Sequence, residues 1–377
     1  MKFNTLIANL FIFFLLLFFW RNIDYWMTTI IYKEEPHDTI RALSLYGLWG
    51  SSLMLISLGK NMFSKCIIHK ICILWFASML AVLIYNGSSL PGYMTCLLWP
   101  LLFEGIYIYT IFNQDSDKRL NRLFLVLIIL GMVSFVESLI YNGYEGASNI
   151  VYFVVLAIPI LLAVGNEKLN LLWLVFASVL AIASLKRSMM LAIALFWLIY
   201  FIVEGVKKLG ILKSVILMLM IGYGAYHTFL YVDDLSGNDI TRRMESEDIS
   251  NGRDGIYDIT LLMIDNSTID HKILGNGQGA VKRDSILDIS AHNEWLEIIY
   301  DYGYIVLAVY ILLWLYMLYK WYRLWKEDSK YLLPYTLCLC IWAVMSMVSQ
   351  LISYVSYVLY LFIFLAYVEA KTINKTK

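Results

Sequence analysis

One histidine and a scattered set of cations carry the chemistry that this 377-residue chain could do. His292 opens the run His292-Asn293-Glu294-Trp295-Leu296. A neutral imidazole accepts a proton near pH 7, which suits a general base. A histidine in a polar loop is otherwise simply solvated. The basic residues come as Lys186–Arg187, Arg242–Arg243, Arg253 and Lys282–Arg283. Guanidinium forks bind phosphate oxygens bidentately, so such a set could hold a phosphate-bearing anion. The same side chains also snorkel to lipid phosphates, and for Lys186–Arg187 both readings stay open.

Local patterns place these groups. From about 291 to 302, Trp295, Ile298, Ile299 and Tyr302 recur at helical spacing, with Glu294, Glu297 and Asp301 on the other side. This predicts an amphipathic helix with its apolar face toward a membrane domain. If Ser290 caps it, His292 lies in the first turn, where the helix dipole disfavours the imidazolium. Gly303 ends the helix. A second helix is predicted over about 254–264, where Ile256, Ile259 and Met263 share a face and Ser250 or Asn251 can cap the start. Gly275-Asn-Gly277-Gln-Gly279 resembles a phosphate loop but lacks the dinucleotide spacing and a strand–helix frame, so it reads as a tight turn.

The rest of the chain is apolar. Hydrophobic residues make up 60% and charged residues 15%, well below the charge of a soluble domain. Runs long enough to cross a bilayer recur from end to end. They fall near 4–20, 42–59, 71–85, 94–112, 123–141, 150–165, 170–185, 189–203, 214–231, 303–319, 334–349 and 351–368. The last two share one apolar stretch, divided by a turn near Ser349 and Gln350. The fold expected is therefore an all-α polytopic membrane protein of about 12 transmembrane helices.

Lys and Arg in the short loops set the orientation. Lys60, Lys65, Lys70, Lys118, Arg119, Arg122, Lys168, Lys207, Lys208, Lys213, Lys320, Arg323, Lys326, Lys330, Lys371, Lys375 and Lys377 fall in one set of loops and the tail. That set is expected in the cytoplasm, with both termini. The opposite side then carries Arg21–Arg41 and one large, partly helical loop, 232–302. The expected organisation is 1–231 with nine transmembrane helices, 232–302 as the outer loop, and 303–377 with three helices and a cytoplasmic tail. Loops this long inside a compact protein are often functional.

Net charge is zero and selects no partner; the bilayer is one, and no nucleic acid is expected. The five cysteines, Cys66, Cys72, Cys96, Cys338 and Cys340, avoid the loop and form no CxxC, which excludes a disulfide framework or a zinc site. No carboxylate cluster in the loop suggests a metal, and no cofactor is expected. The stretch from Asn4 to Trp20 lacks a small-residue cleavage site and is taken as the first helix rather than a signal peptide. Among intramembrane polar groups, Glu137 and His227 lie near helix ends, while Glu104 is deep and reads as a structural hydrogen-bonding group.

The order of these features is similar to a known pattern. A basic pair follows a span, then come Asn251-Gly-Arg253, Leu274-Gly-Asn-Gly277-Gln-Gly279 and His292-Asn293-Glu294-Trp295-Leu296, with the next span from Gly303. From about Ser184 to Tyr319 the chain resembles the bacterial O-antigen polymerase and O-antigen ligase superfamily. It departs from the family pattern at Leu185-Lys186-Arg187-Ser188 and in carrying Tyr257 where a Trp often follows. The resemblance implies a C-type, metal-independent glycosyltransferase of the bacterial inner membrane. Its donor would be an undecaprenyl-diphosphate-linked oligosaccharide, used at the periplasmic face. Arg187 and Arg253 would bind the leaving diphosphate, and His292 would orient or deprotonate the acceptor hydroxyl. Asn293 or Glu294 would orient donor or acceptor. Lys186, Arg242, Arg243, Lys282 and Arg283 are further substrate-binding candidates, and a chain-length regulator is a conceivable partner.

Two enzymatic readings share this mechanism. A polymerase joins lipid-linked repeat units, and a ligase moves finished glycan to lipid A–core. Polymerase is favoured because strain-specific polymerases tend to be this divergent and this rich in Ile, Tyr and Phe. A lipid-linked oligosaccharide flippase also fits twelve spans. A transporter, however, has little use for a large ordered outer loop, and the chain lacks the internal repeat common in that class. A non-catalytic scaffold would need no inward-facing His292.

Overall fold

The structure, a computed structural model, describes residues 2–31, 38–59, 67–147, 149–205, 210–237, 241, 253–352 and 354–373. All regular structure among these residues is helical. The first half comprises α1 (Lys2–Tyr25), α2 (Asp38–Leu58), α3 (Ile67–Tyr85), α4 (Leu90–Cys96), α5 (Leu98–Phe112), α6 (Ser116–Ala147), α7 (Val151–Val155) and α8 (Ile158–Val164). Then follow α9 (Asn170–Ala183), α10 (Arg187–Tyr200) and α11 (Ile211–Leu235). Among the described residues of the loop are the short helices α12 (Arg253–Asn266), α13 (Ile269–Leu274), α14 (Ala280–Asp284) and α15 (Glu294–Glu297). The chain ends in α16 (Gly303–Lys326), α17 (Leu332–Val348) and α18 (Val355–Thr372).

Every apolar run of the sequence lies on a helix, because a backbone surrounded by lipid must satisfy its own hydrogen bonds. Six helices among the described residues are long and apolar enough to cross a membrane, or seven if the bent pair α4–α5, which turns by 46°, counts as one. The chain is thus a helical membrane protein. Its core gathers around α18, whose aromatic side chains are buried on every side. Trp99 of α5 stacks on Phe362 at 3.9 Å between ring centroids, and Phe19 of α1 meets Tyr360 at 4.1 Å. Glu104 does make a structural contact, with the buried His69 of α3: its two carboxylate oxygens lie 2.8 and 2.7 Å from Nδ1.

Two sequence expectations change. Helix α1 does not stop at Trp20 but continues through Tyr25 into a π-helical turn, Trp26–Ile31, so Arg21 is a helical residue buried inside the bundle. The acidic stripe Glu294, Glu297 and Asp301, expected to face away from the membrane domain, is buried at 0, 3 and 1% exposure. The stripe turns inward because it meets unpaired backbone amides rather than lipid.

Candidate functional site

Three carboxylates anchor the region around His292. Glu294 Oε2 accepts the amides of Leu351 and Ile352 at 2.7 and 3.2 Å, in the break between α17 and α18. Glu297 Oε1 accepts the amide of Ala291 at 2.6 Å and also the side-chain amide of Gln350. Asp301 accepts the amides of Gly279 and Val281 at 2.7 and 2.9 Å. Buried amides without partners are costly, so these acceptors fix three chain segments relative to one another.

The glycine turn is the third of those segments. Gly275, Gly277 and Gly279 have φ of 73, 95 and 69°. The amides of Asn276 and Gly277 donate to the carbonyls of Tyr300 and Asp301, both at 2.9 Å. The turn therefore clasps the end of the π-helical segment Ile298–Tyr302 and is not an open phosphate loop.

His292 sits just before the helix rather than in its first turn. Asn293 is the cap, and its Oδ1 accepts the amides of Trp295 and Leu296 at 3.0 and 3.3 Å. The Glu297–Ala291 bond pulls the preceding chain back, and His292 takes a left-handed φ of 53°. Backbone strain of this kind is uncommon outside glycine and turns the side chain away from the helix axis. The single hydroxyl proton of Tyr257 of α12 is shared between the Met347 carbonyl at 3.2 Å and the His292 carbonyl at 3.4 Å. Burial lowers the pKa of His292, and the positive charges of Arg253 and Lys186 lower it further. Partial burial and two cations thus favour the neutral imidazole.

Those same two charges define the cationic side of the site. Lys186 precedes α10 and bonds Asn149 Oδ1 at 2.5 Å, and its ammonium lies 5.3 Å from the Tyr152 ring centroid. The Tyr152 hydroxyl bonds Ser188 Oγ at 2.6 Å, within the first turn of α10. Arg253, at the start of α12, acts electrostatically on both His292 and Tyr152. Half-buried Arg187 follows Lys186 as the first residue of α10. Lys186 and Arg253, from two regions of the chain, thus both act on His292 from a third, and Tyr152 touches Lys186 and Ser188.

The remaining candidates divide. Asn293 spends its side-chain oxygen on the cap, and Glu294 is buried against Leu351 and Ile352, so both hold His292 in place through the backbone. Lys282 and Arg283 line a separate cleft with Gln278, Ser290 and Gln350. There Arg283 pairs with Asp284 at 2.7 Å, an interaction that also raises its pKa. Arg242 and Arg243, with Ser250 and Asn251, lie outside the described residues. No group of three potential metal-ligating side chains occurs among the described residues.

Sequence reasoning did not single out Tyr152, Ser188 or Asn149. Each is an ordinary residue at the end of an apolar run, and only the packing of α7 against α9 and α10 brings it to the cations. Tyr257 stood out only as a departure from the family pattern, yet its position one turn after Arg253 lets α12 hold the backbone of His292.

No curated protein matches the chain. Residues 171–311, which carry Lys186, Arg187, Arg253 and His292, match the family model described as O-antigen ligase, so this segment of the chain is similar to that family.

Proposed function

We propose that the chain is a polysaccharide polymerase that transfers glycan from undecaprenyl diphosphate to a sugar hydroxyl of another lipid-linked repeat unit. The feature that carries this reading is His292, whose pKa is lowered by burial and by the positive charges of Arg253 and Lys186. The acceptor hydroxyl attacks the anomeric carbon, the bond from that carbon to the diphosphate oxygen breaks, and His292 takes the hydroxyl proton. Undecaprenyl diphosphate leaves with the bonding electrons, and Arg253 with Lys186 stabilises the charge that grows on it. Arg187, adjacent to Lys186, adds a guanidinium to the same anion. No metal or other cofactor is needed in this scheme, because fixed cations supply the electrostatic stabilisation.

In the proposed topology twelve helices span the bacterial inner membrane. Both termini face the cytoplasm, and residues 232–302 lie in the periplasm between transmembrane units 1–231 and 303–377. The description of the matched family favours a second reading, a ligase that moves glycan to lipid A–core by the same chemistry. Only the acceptor differs.

The test is a His292→Ala chain expressed in a strain deleted for the native protein, with surface glycan separated on a gel. Loss of all polymer while the protein remains inserted is expected. A normal ladder of chain lengths would refute the catalytic role. In the deletion strain itself, single repeats on the core indicate a polymerase, and polymer retained on undecaprenol indicates a ligase.

A further inference from the structure

A second pair of arginines lines a cleft at the same end of the bundle as the loop. Arg21 of α1 is 1% exposed. Its Nη1 donates to Asp24 at 2.7 Å, while Nε and Nη2 have no hydrogen-bond partner. Arg41 of α2 faces the same tyrosine: the two guanidinium carbons lie 5.9 and 5.6 Å from the Tyr25 ring centroid. The cleft measures about 480 Å³ and is lined by both arginines together with Asn22, Ser89, Gln278 and Tyr354. No carboxylate lines it among the described residues. A buried guanidinium with two unpartnered nitrogens is unfavourable unless an anion completes it.

A chain of ring contacts links the edge of the cleft to Lys186. Tyr354 at its edge lies 5.8 Å from Tyr357, and Tyr357 lies 5.2 Å from Tyr152, the ring beneath Lys186.

We propose that the Arg21–Arg41 cleft binds the phosphate-bearing headgroup of the acceptor lipid. This rests on the transferase reading above, in which donor and acceptor are both lipid-linked anions. A polymerase acting on two such lipids needs two anion sites, and Lys186 with Arg253 forms one.

The experiment titrates the full chain, in nanodiscs of phosphatidylethanolamine, with radiolabelled undecaprenyl diphosphate and counts equivalents bound. Wild type is expected to bind two. Arg21→Gln with Arg41→Gln should weaken one of them by about ten- to a hundredfold, the loss expected for hydrogen bonds to a charged group. Arg41→Gln alone, at an exposed side chain, should weaken the same equivalent in a chain whose core is untouched. Arg253→Gln should weaken the other. A wild type that binds one equivalent, sensitive only to Arg253→Gln, overturns the cleft and leaves the transferase reading standing. Two equivalents of which neither responds to Arg253→Gln leave the cleft standing and remove the donor site instead. Displacement of the cleft equivalent by equimolar phosphatidylglycerol or inorganic diphosphate also overturns the proposal, because the site would then hold any phospholipid or free anion.

Discussion

The carboxylate of Glu294 accepts the amide of Leu351 at 2.7 Å, which ties the residue two places after His292 to the break between the last two membrane helices. The histidine is therefore positioned from two directions. Tyr257 holds its carbonyl from the loop, and Glu294 fixes the helix that follows it to α17 and α18. A change in that break should move the imidazole without touching it.

The first prediction follows from that bond. Glu294→Ala leaves the buried amides of Leu351 and Ile352 without an acceptor, at a cost of about 1–3 kcal/mol for each unsatisfied group. Glu294→Gln keeps one carbonyl oxygen and should lose less. Thermal unfolding of the detergent-purified chain should rank wild type above Gln above Ala. Equal stabilities would mean that the carboxylate does not hold the break.

The second concerns pH. His292 has its pKa lowered, first by burial and then by Arg253 and Lys186. The neutral base is present above that value, and protonation removes it as pH falls through it. The acidic limb of transferase activity should therefore lie below the ordinary histidine value of about 6.5. Arg253→Gln removes one of the opposing charges, so the histidine pKa rises and the limb moves to higher pH. A pH–rate profile of the two proteins checks both sign and direction; a limb that stays in place disconnects Arg253 from the imidazole.

Much of this was legible in the residues, and the failures have physical causes. The apolar runs gave the helices because lipid admits few alternatives. The motif from His292 to Leu296 drew attention to the histidine on which Arg253 and Lys186 act. The stripe of Glu294, Glu297 and Asp301 was misread because periodicity separates polar from apolar faces but does not say what the polar face meets. Here it meets backbone amides of Gly279, Val281, Ala291, Leu351 and Ile352. Arg21 was assigned to a loop because a charge after an apolar run looks like the end of a span. Asp24 and the Tyr25 ring, three and four residues on, meet it because α1 runs past Trp20 as one helix. The lysine and arginine after the glycine turn looked equivalent to the other cations, yet Asp284 takes up Arg283 in a separate cleft.

A third prediction separates charge from geometry in the anion site. Arg253→Lys keeps the charge that depresses His292 but loses the planar fork. Donor turnover should fall by about tenfold or more, the value of one charge-assisted hydrogen bond in rate terms, while the acidic limb stays where it is in wild type. Arg253→Gln should lower the rate further and also shift the limb. Measured on one lipid-linked donor, full activity in Arg253→Lys would remove the bidentate clamp and leave only a point charge.

The fourth prediction sets two glycines of the same turn against each other. At Gly275 a Cβ would stand 2.3 Å from the Asp301 carbonyl oxygen and 2.6 Å from the Tyr302 carbonyl carbon, both of them backbone atoms that cannot rotate away. Gly303 meets the same clasp from the other strand of chain, where a Cβ would stand 2.3 Å from the Ile273 carbonyl oxygen. Gly279 shares the left-handed φ, at 69°, but has open space around its missing Cβ. Asparagine tolerates that conformation, so Gly279→Asn should cost about 1 kcal/mol or less. Gly275→Ala forces the clasp apart and should cost several times as much, enough to reduce the yield of folded protein in the membrane. Yield and thermal midpoint of the two variants, compared in the same detergent, decide it. If Gly275→Ala is as well tolerated as Gly279→Asn, the turn does not grip the segment that leads into α16, and the support beneath His292 must come from the carboxylates alone.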